Sequence, residues 1–421
     1  MENIVIIGGG FAGLTLAKRL ARDKFNVHII DRNNFHSFPP LFYQVASSGL
    51  TESNISFPFR LEIKKLRNVS YHMGHVKNID TEGKTVTTSY ESIPYDRLVI
   101  AAGSTNNYFG MKGLEETVYG IKTIGEAAHT RDEILDRLER GALCKDPERR
   151  RQLLSFLVVG GGPSGVEIAG AIGEMKKNIL KREYPELKQE DVTVTLVEGA
   201  PRLLGAMSEK SSARALEYLK SLMVDVRLNT TMKGYEDKMV EFADGHKEYW
   251  ETLIWTAGVK GEPMPGMPET TVGRGGRIIV DEYNRVKGLE ESVLAIGDIA
   301  LMQTEDYPAG HPQMAQPAIQ QAENLARNLN TGEFKSAFKY HDKGSMATVG
   351  KHLAVADLPK VSFGGFFAWF IWLAIHLMSI LGMRNKVVVL LNWIWNYTTT
   401  STSLRLLLRP TRFPVRRHWG D

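Results

Sequence analysis

The chain has 421 residues, enough for two or three domains, and its 43% hydrophobic and 24% charged content is that of a folded protein. A formal net charge of +4 gives no global signal for nucleic acid or any other polyanion. One cysteine, Cys144, excludes both an internal disulfide and redox chemistry built on a cysteine pair.

The N-terminus enters a strand at once, Ile4 to Ile7, with no basic region or cleavage site, so no secretory signal is expected. Next come Gly8-Gly9-Gly10-Phe11-Ala12-Gly13 and a helical pattern (Leu14, Leu16, Ala17, Leu20, Ala21). A second strand, Val27 to Ile30, ends at Asp31. Gly8 permits the tight strand-to-helix turn, Gly10 lets backbone approach a pyrophosphate, and Gly13 allows close helix–strand packing. The helix N-terminus offers free N–H groups to the phosphates, and Asp31 can accept hydrogen bonds from ribose hydroxyls.

The same unit recurs further along. Phe156 to Val159 reads as strand, Gly160-Gly161-Gly162-Pro163-Ser164-Gly165 as loop and Val166 to Ile179 as helix. A charged insertion, Lys181 to Asp191, precedes the strand Val192 to Val197, which ends at Glu198. An acid there favours NADH over NADPH, because a 2′-phosphate would meet a like charge, although Arg202 nearby works against that preference. Two units on one chain imply two nucleotides, a bound flavin and a diffusing nicotinamide. Between the units, Cys144 is expected in a loop or at a helix end. His36, His72, His75, His311 and His352 lack metal-ligand spacing, so no metal is expected.

With these residues in place, the chain resembles the two-dinucleotide-binding flavoprotein reductases. Tyr95 to Gly103 is similar to the strand closing their first segment, Thr256-Ala257-Gly258 to its counterpart, and Val293 to Asp298 to their second FAD motif. Within that superfamily it looks most like the type II NADH dehydrogenases, single-subunit NADH:quinone oxidoreductases. Four stretches carry this: Pro39 to Ala46, Gly160 to Glu167, the A-Q-x-A-x-Q pattern from Ala315 to Gln320, and Asp342 to Ala347 with Gly350-Lys351.

The resemblance implies an α/β fold of two Rossmann-like domains in a glutathione-reductase-like arrangement. The FAD domain spans 1–114 and 262–359, the NADH domain 115–261, and a C-terminal membrane-associating helical segment 360–421. It implies FAD, bound tightly and non-covalently, at Gly8, Gly10, Phe11, Ala12, Gly13, Asp31, Arg32, Ala102, Gly103, Asp298, Ala315 and Gln316. NADH is implied at Gly160, Gly162, Pro163, Ser164, Gly165, Glu167, Glu198 and Gly258. Glu167, at the start of its helix and favoured there in its ionised form, is expected to position NADH or to handle a proton. Gln316 and Gln320 share a helix face; a neutral amide can bond a quinone carbonyl without burying a charge. Lys351 is a further candidate for that pocket. The expected activity is transfer of two electrons from NADH to ubiquinone or menaquinone, without proton pumping. The alternatives are a soluble reductase of an iron–sulfur carrier and a non-catalytic NADH-sensing flavoprotein.

The C-terminal segment is apolar from Phe363 to Leu381. It continues through a basic connector, Met383 to Lys386, a shorter apolar run, Val387 to Trp395, and a turn, Leu404 to Arg409, that sets two arginines on one helix face. From Lys360 onward Lys360, Arg384, Lys386, Arg405, Arg409, Arg412, Arg416 and Arg417 are basic, and Asp421 is the only acid. His376, Ser379 and the mid-segment Trp369 and Trp372 fit insertion into one leaflet rather than a crossing. The expectation is peripheral attachment to anionic lipid on the cytoplasmic side of the cell membrane, as a homodimer.

Overall fold

The computed structural model describes residues 1–262, 264–399 and 404–407. Its first unit runs β1 (Glu2–Ile7), α1 (Phe11–Arg19), β2 (Phe25–Asp31), β3 (Val69–Met73) and β4 (Arg97–Ile100). The second runs β5 (Tyr119–Gly120), α2 (Ile124–Leu143), β6 (Ser155–Val159), α3 (Pro163–Glu174), β7 (Thr193–Val197), α4 (Glu209–Ser221), β8 (Asp225–Arg227) and β9 (Thr252–Trp255). The chain then returns with β10 (Val293–Ala295) and α5 (Ala315–Thr331). It ends in β11 (Ser345–Thr348), β12 (Ala354–Leu358), β13 (Val361–Gly364), α6 (Phe366–Ser379) and α7 (Met383–Thr399).

Each unit is a five-stranded parallel sheet, in the orders β10-β4-β1-β2-β3 and β5-β9-β6-β7-β8. The central strands β1 and β6 are apolar at successive positions because both faces of a parallel sheet are covered. Side chains alternate between those faces. Ile4 and Ile6 pack with Leu16, Ala17 and Leu325 of α1 and α5, whereas Val5 and Ile7 pack with Ile30, Leu98 and Val293. In the second sheet Phe156 and Val158 join the core under α2 and α3, and Leu157 and Val159 pack with Met232 and Trp250. Strand β10 pairs with β4, so the sheet of the first unit is completed by residues from beyond the second.

The C-terminal elements are built into this body. Trp372 of α6 and Val389 and Trp393 of α7 belong to the main core, and Trp369 packs with Ala354, Ala356 and Ala368 over the antiparallel sheet β11-β12-β13. Three expectations are therefore corrected. Trp369 and Trp372 are buried in protein; Phe366, Phe367, Phe370, Ile375 and Met378 are the large apolar side chains of α6 left exposed. The connector Met383 to Lys386 is the first turn of α7, and the chain instead breaks at Ile380 to Gly382, where Gly382 has φ +79°. Leu404 to Leu407 is not helical, and Arg405 turns back to pair with Glu183 through two hydrogen bonds. Leu408, Arg409, Arg412, Arg416 and Arg417 lie outside the described residues. Among those described, no helix is long and apolar enough to cross a membrane.

Candidate functional site

Both glycine loops are stretched over the C-terminal edges of their sheets. Gly8 (φ +100°) and Gly160 (φ +109°) open the turns; a Cβ on Gly8 would lie 2.3 Å from the Ala101 oxygen, and one on Gly160 would lie 2.8 Å from the Ala257 nitrogen. A Cβ on Gly13 would sit 1.9 Å from the Gly8 oxygen, and on Gly165 1.8 Å from the Gly160 oxygen. Gly10 and Gly162, by contrast, face open space with no atom within 4 Å of that position. Helices α1 and α3 start at once behind them, at Phe11 and Pro163, with unpaired N–H groups directed into that space. Each strand-terminal acid braces its loop. Asp31 Oδ2 accepts from the Gly9 N–H at 2.8 Å and Glu198 Oε2 from the Gly161 N–H at 2.5 Å. Burial lifts the Asp31 carboxyl above its ordinary pKa, against the pull of the Asn33 and Gly9 N–H groups.

The first cradle fits FAD on three counts: the open face at Gly10, the helix N-terminus behind it, and polar groups arranged further along. Asp298, after β10, accepts from Ser104 Oγ at 2.7 Å, and Ser104 Oγ accepts from Lys122 Nζ at 2.8 Å. Lys122 Nζ lies 4.0 Å from Asp298 itself; burial lowers its pKa, and Asp298 and Glu126 oppose that. Gln321 Oε1 fixes the Gly297 N–H at 2.7 Å, and Gly103 (φ +75°) ends the strand beside Ala102. Lys122, Ser104 and Gln321 were not singled out from sequence, because each acts only through partners far away along the chain. Arg32 is exposed; Phe11 packs edge-on against His36 and Phe38.

A buried polar cluster ties the segment after the first unit's β2 to α3, β11 and α7. Residues Phe42–Ala46 form a short helix whose side chains are all buried. Tyr43 Oη accepts from Thr348 Oγ1 at 2.9 Å and from Gln44 Nε2 at 3.0 Å, and Gln44 Oε1 accepts from Trp393 Nε1 of α7 at 2.8 Å. Glu167 meets this cluster where the Thr348 N–H points at its Oε1 across 3.5 Å. It is the fifth residue of α3, beyond the free N–H groups, and burial pushes its carboxyl up to about 8. The expectation of an ionised Glu167 is thus corrected: desolvation outweighs the helix dipole, whose influence fades within one turn.

Gln316 and Gln320 do share a face of α5, and that face is applied to the extended segment leading into β11. Gln316 bonds the Gly344 oxygen (2.9 Å) and the Lys343 N–H (3.2 Å); Gln320 bonds the His341 oxygen (2.9 Å) and N–H (3.0 Å). Each amide thus uses its oxygen and one N–H on backbone. Lys351, in the turn after β11, donates its backbone N–H to Glu174 at 3.0 Å and holds its ammonium 6.0 Å above the Tyr397 ring.

The second cradle opens on a cleft of about 430 Å³. Gly160, Gly162, Glu198, Thr230, Thr231 and Gly258 line it, together with Phe109, Met111, Met232 and Trp255, which sequence reasoning missed. Glu198 Oε1 accepts from the Ala200 N–H at 2.7 Å. Arg202 is engaged with backbone. Its guanidinium donates to the Met207 and Gly205 oxygens at 2.9 and 2.8 Å. Pro163 and Ser164 form the first turn of α3.

Comparison with known proteins bears on this geometry. The family model for pyridine nucleotide-disulphide oxidoreductases matches residues 2–322, and that for the NDH2 C-terminal domain matches 342–399. A type II NADH:quinone oxidoreductase of Mycobacterium tuberculosis is 36% identical over 95% of this chain and 89% of its own length; a second from that organism is 35% identical over 93% and 86%. Among solved structures, NDH2 from Plasmodium falciparum in complex with NADH superposes with a TM-score of 0.88 at 21% identity, covering 97% of this chain and all of that one. A sulfide:quinone oxidoreductase from Aquifex aeolicus shares the fold at TM-score 0.73 and 19% identity, covering 96% of each chain.

Proposed function

The chain belongs to the type II NADH:quinone oxidoreductases, within the pyridine nucleotide-disulphide oxidoreductase family, and from that premise we propose that it oxidises NADH and reduces a membrane quinone through FAD, without pumping protons. The observation that carries this reading is the pair of matched cradles with a buried acid, Glu167, on the helix behind the second. Bound FAD supplies a two-electron carrier that takes hydride from NADH and reduces quinone.

The remaining work falls to the chain. Gly10 and Gly162 bring N–H groups to two pyrophosphates, while Asp31 and Glu198 take ribose hydroxyls. With Arg202 committed elsewhere, Glu198 selects NADH over NADPH. Tyr43, Gln44 and Thr348 keep the surroundings of Glu167 dry. Glu167, neutral up to about pH 8, holds a proton available to the quinone as it is reduced. Gln316, Gln320 and Lys351 shape the quinone side, the two glutamines by fixing residues 341–344 against α5.

The exposed faces of α6 and α7 are proposed to lie in one leaflet on the cytoplasmic side, with the protein a homodimer. Phe366, Phe367, Phe370, Leu391, Ile394 and Trp395 are all more than half exposed, a patch that water does not favour. Cys144, the one cysteine, caps the C-terminus of α2, so sulfide chemistry by a cysteine pair is not open to this chain.

Replacing Phe366, Phe370 and Met378 together by Ser removes side chains worth about 1.5–3 kcal/mol each on burial and leaves Trp369, Trp372 and Trp393 in the core. Flotation with vesicles containing anionic lipid should show release of this variant with its flavin retained. NADH consumption by the wild type should require added quinone, one quinone per NADH. A variant that still floats overturns the anchor, and NADH consumption indifferent to quinone overturns the activity.

A further inference from the structure

Phe109 has the wrong backbone for its side chain. It sits at φ +50°, followed by Gly110 at φ +81°, a left-handed turn in which Asn or Gly is at ease and a bulky residue is rare. The residue is also 64% exposed, so burial in the core does not compensate. The turn is nonetheless held firmly. The Asn107 N–H donates to the Gly258 oxygen (3.2 Å), Trp255 Nε1 donates to the Asn107 oxygen (3.1 Å), and the Phe109 N–H donates to Asn107 Oδ1 (3.0 Å). Just before it, Ser104–Asn106 pairs as a strand with Val259–Gly261. An unfavourable conformation that its surroundings enforce points to a ligand contact.

The ring leans over Gly258, with its tip 3.0 Å from where a Cβ on that glycine would be, and tilts against Trp255 at 6.3 Å between centroids. Gly258 therefore serves to seat Phe109. Both residues line the cleft of the second unit, with Met111 beside them and Thr230 and Thr231 also on its wall. The direction of a dinucleotide through this cleft follows from its polar groups. The pyrophosphate belongs at Gly162 and the adenosine ribose at Glu198; the nicotinamide end leaves toward Glu167, which does not line the cleft. The adenine therefore falls in the remaining space, where the lining turns apolar.

We infer that Phe109, supplied by the segment linking the two units, is the aromatic wall on which the adenine of NADH stacks, making it a positioning residue for the donor's non-reacting half. This rests on the reading of the second unit as the NADH site. A flat ring held rigid beforehand gains stacking with little loss of freedom, which gives a reason for enforcing an awkward turn.

The test uses the holoenzyme and three ligands: NADH, ADP-ribose as a competitor, and reduced nicotinamide mononucleotide, which lacks the adenosine. Phe109→Asn suits the left-handed turn and removes the ring; Phe109→Tyr keeps it. Stacking of a base on an aromatic side chain corresponds to roughly tenfold or more in affinity. Phe109→Asn should raise the KM for NADH and the inhibition constant of ADP-ribose about tenfold, with kcat within about twofold. Turnover of the reduced mononucleotide should stay within about twofold, and Phe109→Tyr should restore both adenosine-dependent values. Unchanged NADH and ADP-ribose affinities in Phe109→Asn would overturn the inference, as would an equal loss with the mononucleotide. If NADH fails to reduce the wild-type flavin, it is the underlying reading that fails.

Discussion

The two glycine cradles are close copies in backbone and differ in what lies beside them. Ile7, Ile30 and Ile100 stand level across the first sheet as Val159, Val197 and Trp255 do across the second. Gly8 and Gly160, Gly13 and Gly165, Asp31 and Glu198 make the same contacts in each. Around the first loop, however, the Phe59 ring lies 2.3 Å from where a Cβ on Gly9 would be, α1 is sandwiched by α5, and His36 Nδ1 bonds the Gly9 oxygen at 2.9 Å. The second loop is covered at the same positions, with Leu203 2.6 Å from where a Cβ on Gly161 would be and the Leu204 N–H donating to the Gly161 oxygen at 2.8 Å, but it also opens onto its cleft beside an exposed Phe109. One phosphate-binding device thus stands in two settings, and the open cleft beside the second suits a visiting ligand as the closer packing around the first suits a resident one.

The sharpest way to break this contrast is to damage each loop in the same manner. Gly13→Ala and Gly165→Ala each drive a Cβ into a backbone oxygen under 2 Å away. Gly13→Ala should yield protein without flavin. Gly165→Ala should stay yellow while its KM for NADH rises roughly 10- to 100-fold, as about 1–3 kcal/mol of overpacking implies. Flavin absorbance and steady-state kinetics read the two effects, and flavin loss from Gly165→Ala would end the division of labour.

The buried acid gives the next effect. As pH rises through about 8 Glu167 loses its proton, so quinone-dependent turnover should fall above that pH. Glu167→Gln should be about a hundredfold slower, the lower end for loss of a general acid, and should lack that fall. Stability moves with it. The folded chain binds the Glu167 proton up to about 8 and the unfolded chain only up to its ordinary 4.5, so this residue makes folding less favourable as pH climbs between them. The melting temperature of Glu167→Gln relative to wild type should therefore rise across that window; a flat difference contradicts the burial argument.

The smallest effect sharpens the second cradle alone. Glu198→Gln removes the charge that repels a 2′-phosphate, and preference for NADH over NADPH should fall about tenfold. It should not reverse, since Arg202 stays on the Gly205 and Met207 oxygens. Competition kinetics with both donors measure the ratio.

The cradles were legible in sequence because a glycine needed for φ near +100° or for contact with backbone leaves its mark at a fixed spacing. What each side chain meets across the fold leaves no such mark. The protonation of Glu167 depends on its burial, which outweighs the Thr348 N–H, the amides of Gln316 and Gln320 on backbone at 341–344, and Arg405 on Glu183. The tryptophans of α6 misled for a related reason: an apolar run shows that a helix is greasy, not which side of it faces protein. Phe109 stayed hidden because an aromatic in a linker gives no signal until its backbone angle is known.

The most direct measurement follows flavin colour without oxygen. Purified protein mixed with one equivalent of NADH should bleach, and quinone added afterwards should restore the colour. A chain that purifies colourless and cannot be loaded with flavin would contradict the account, as would a yellow one that NADH leaves unbleached.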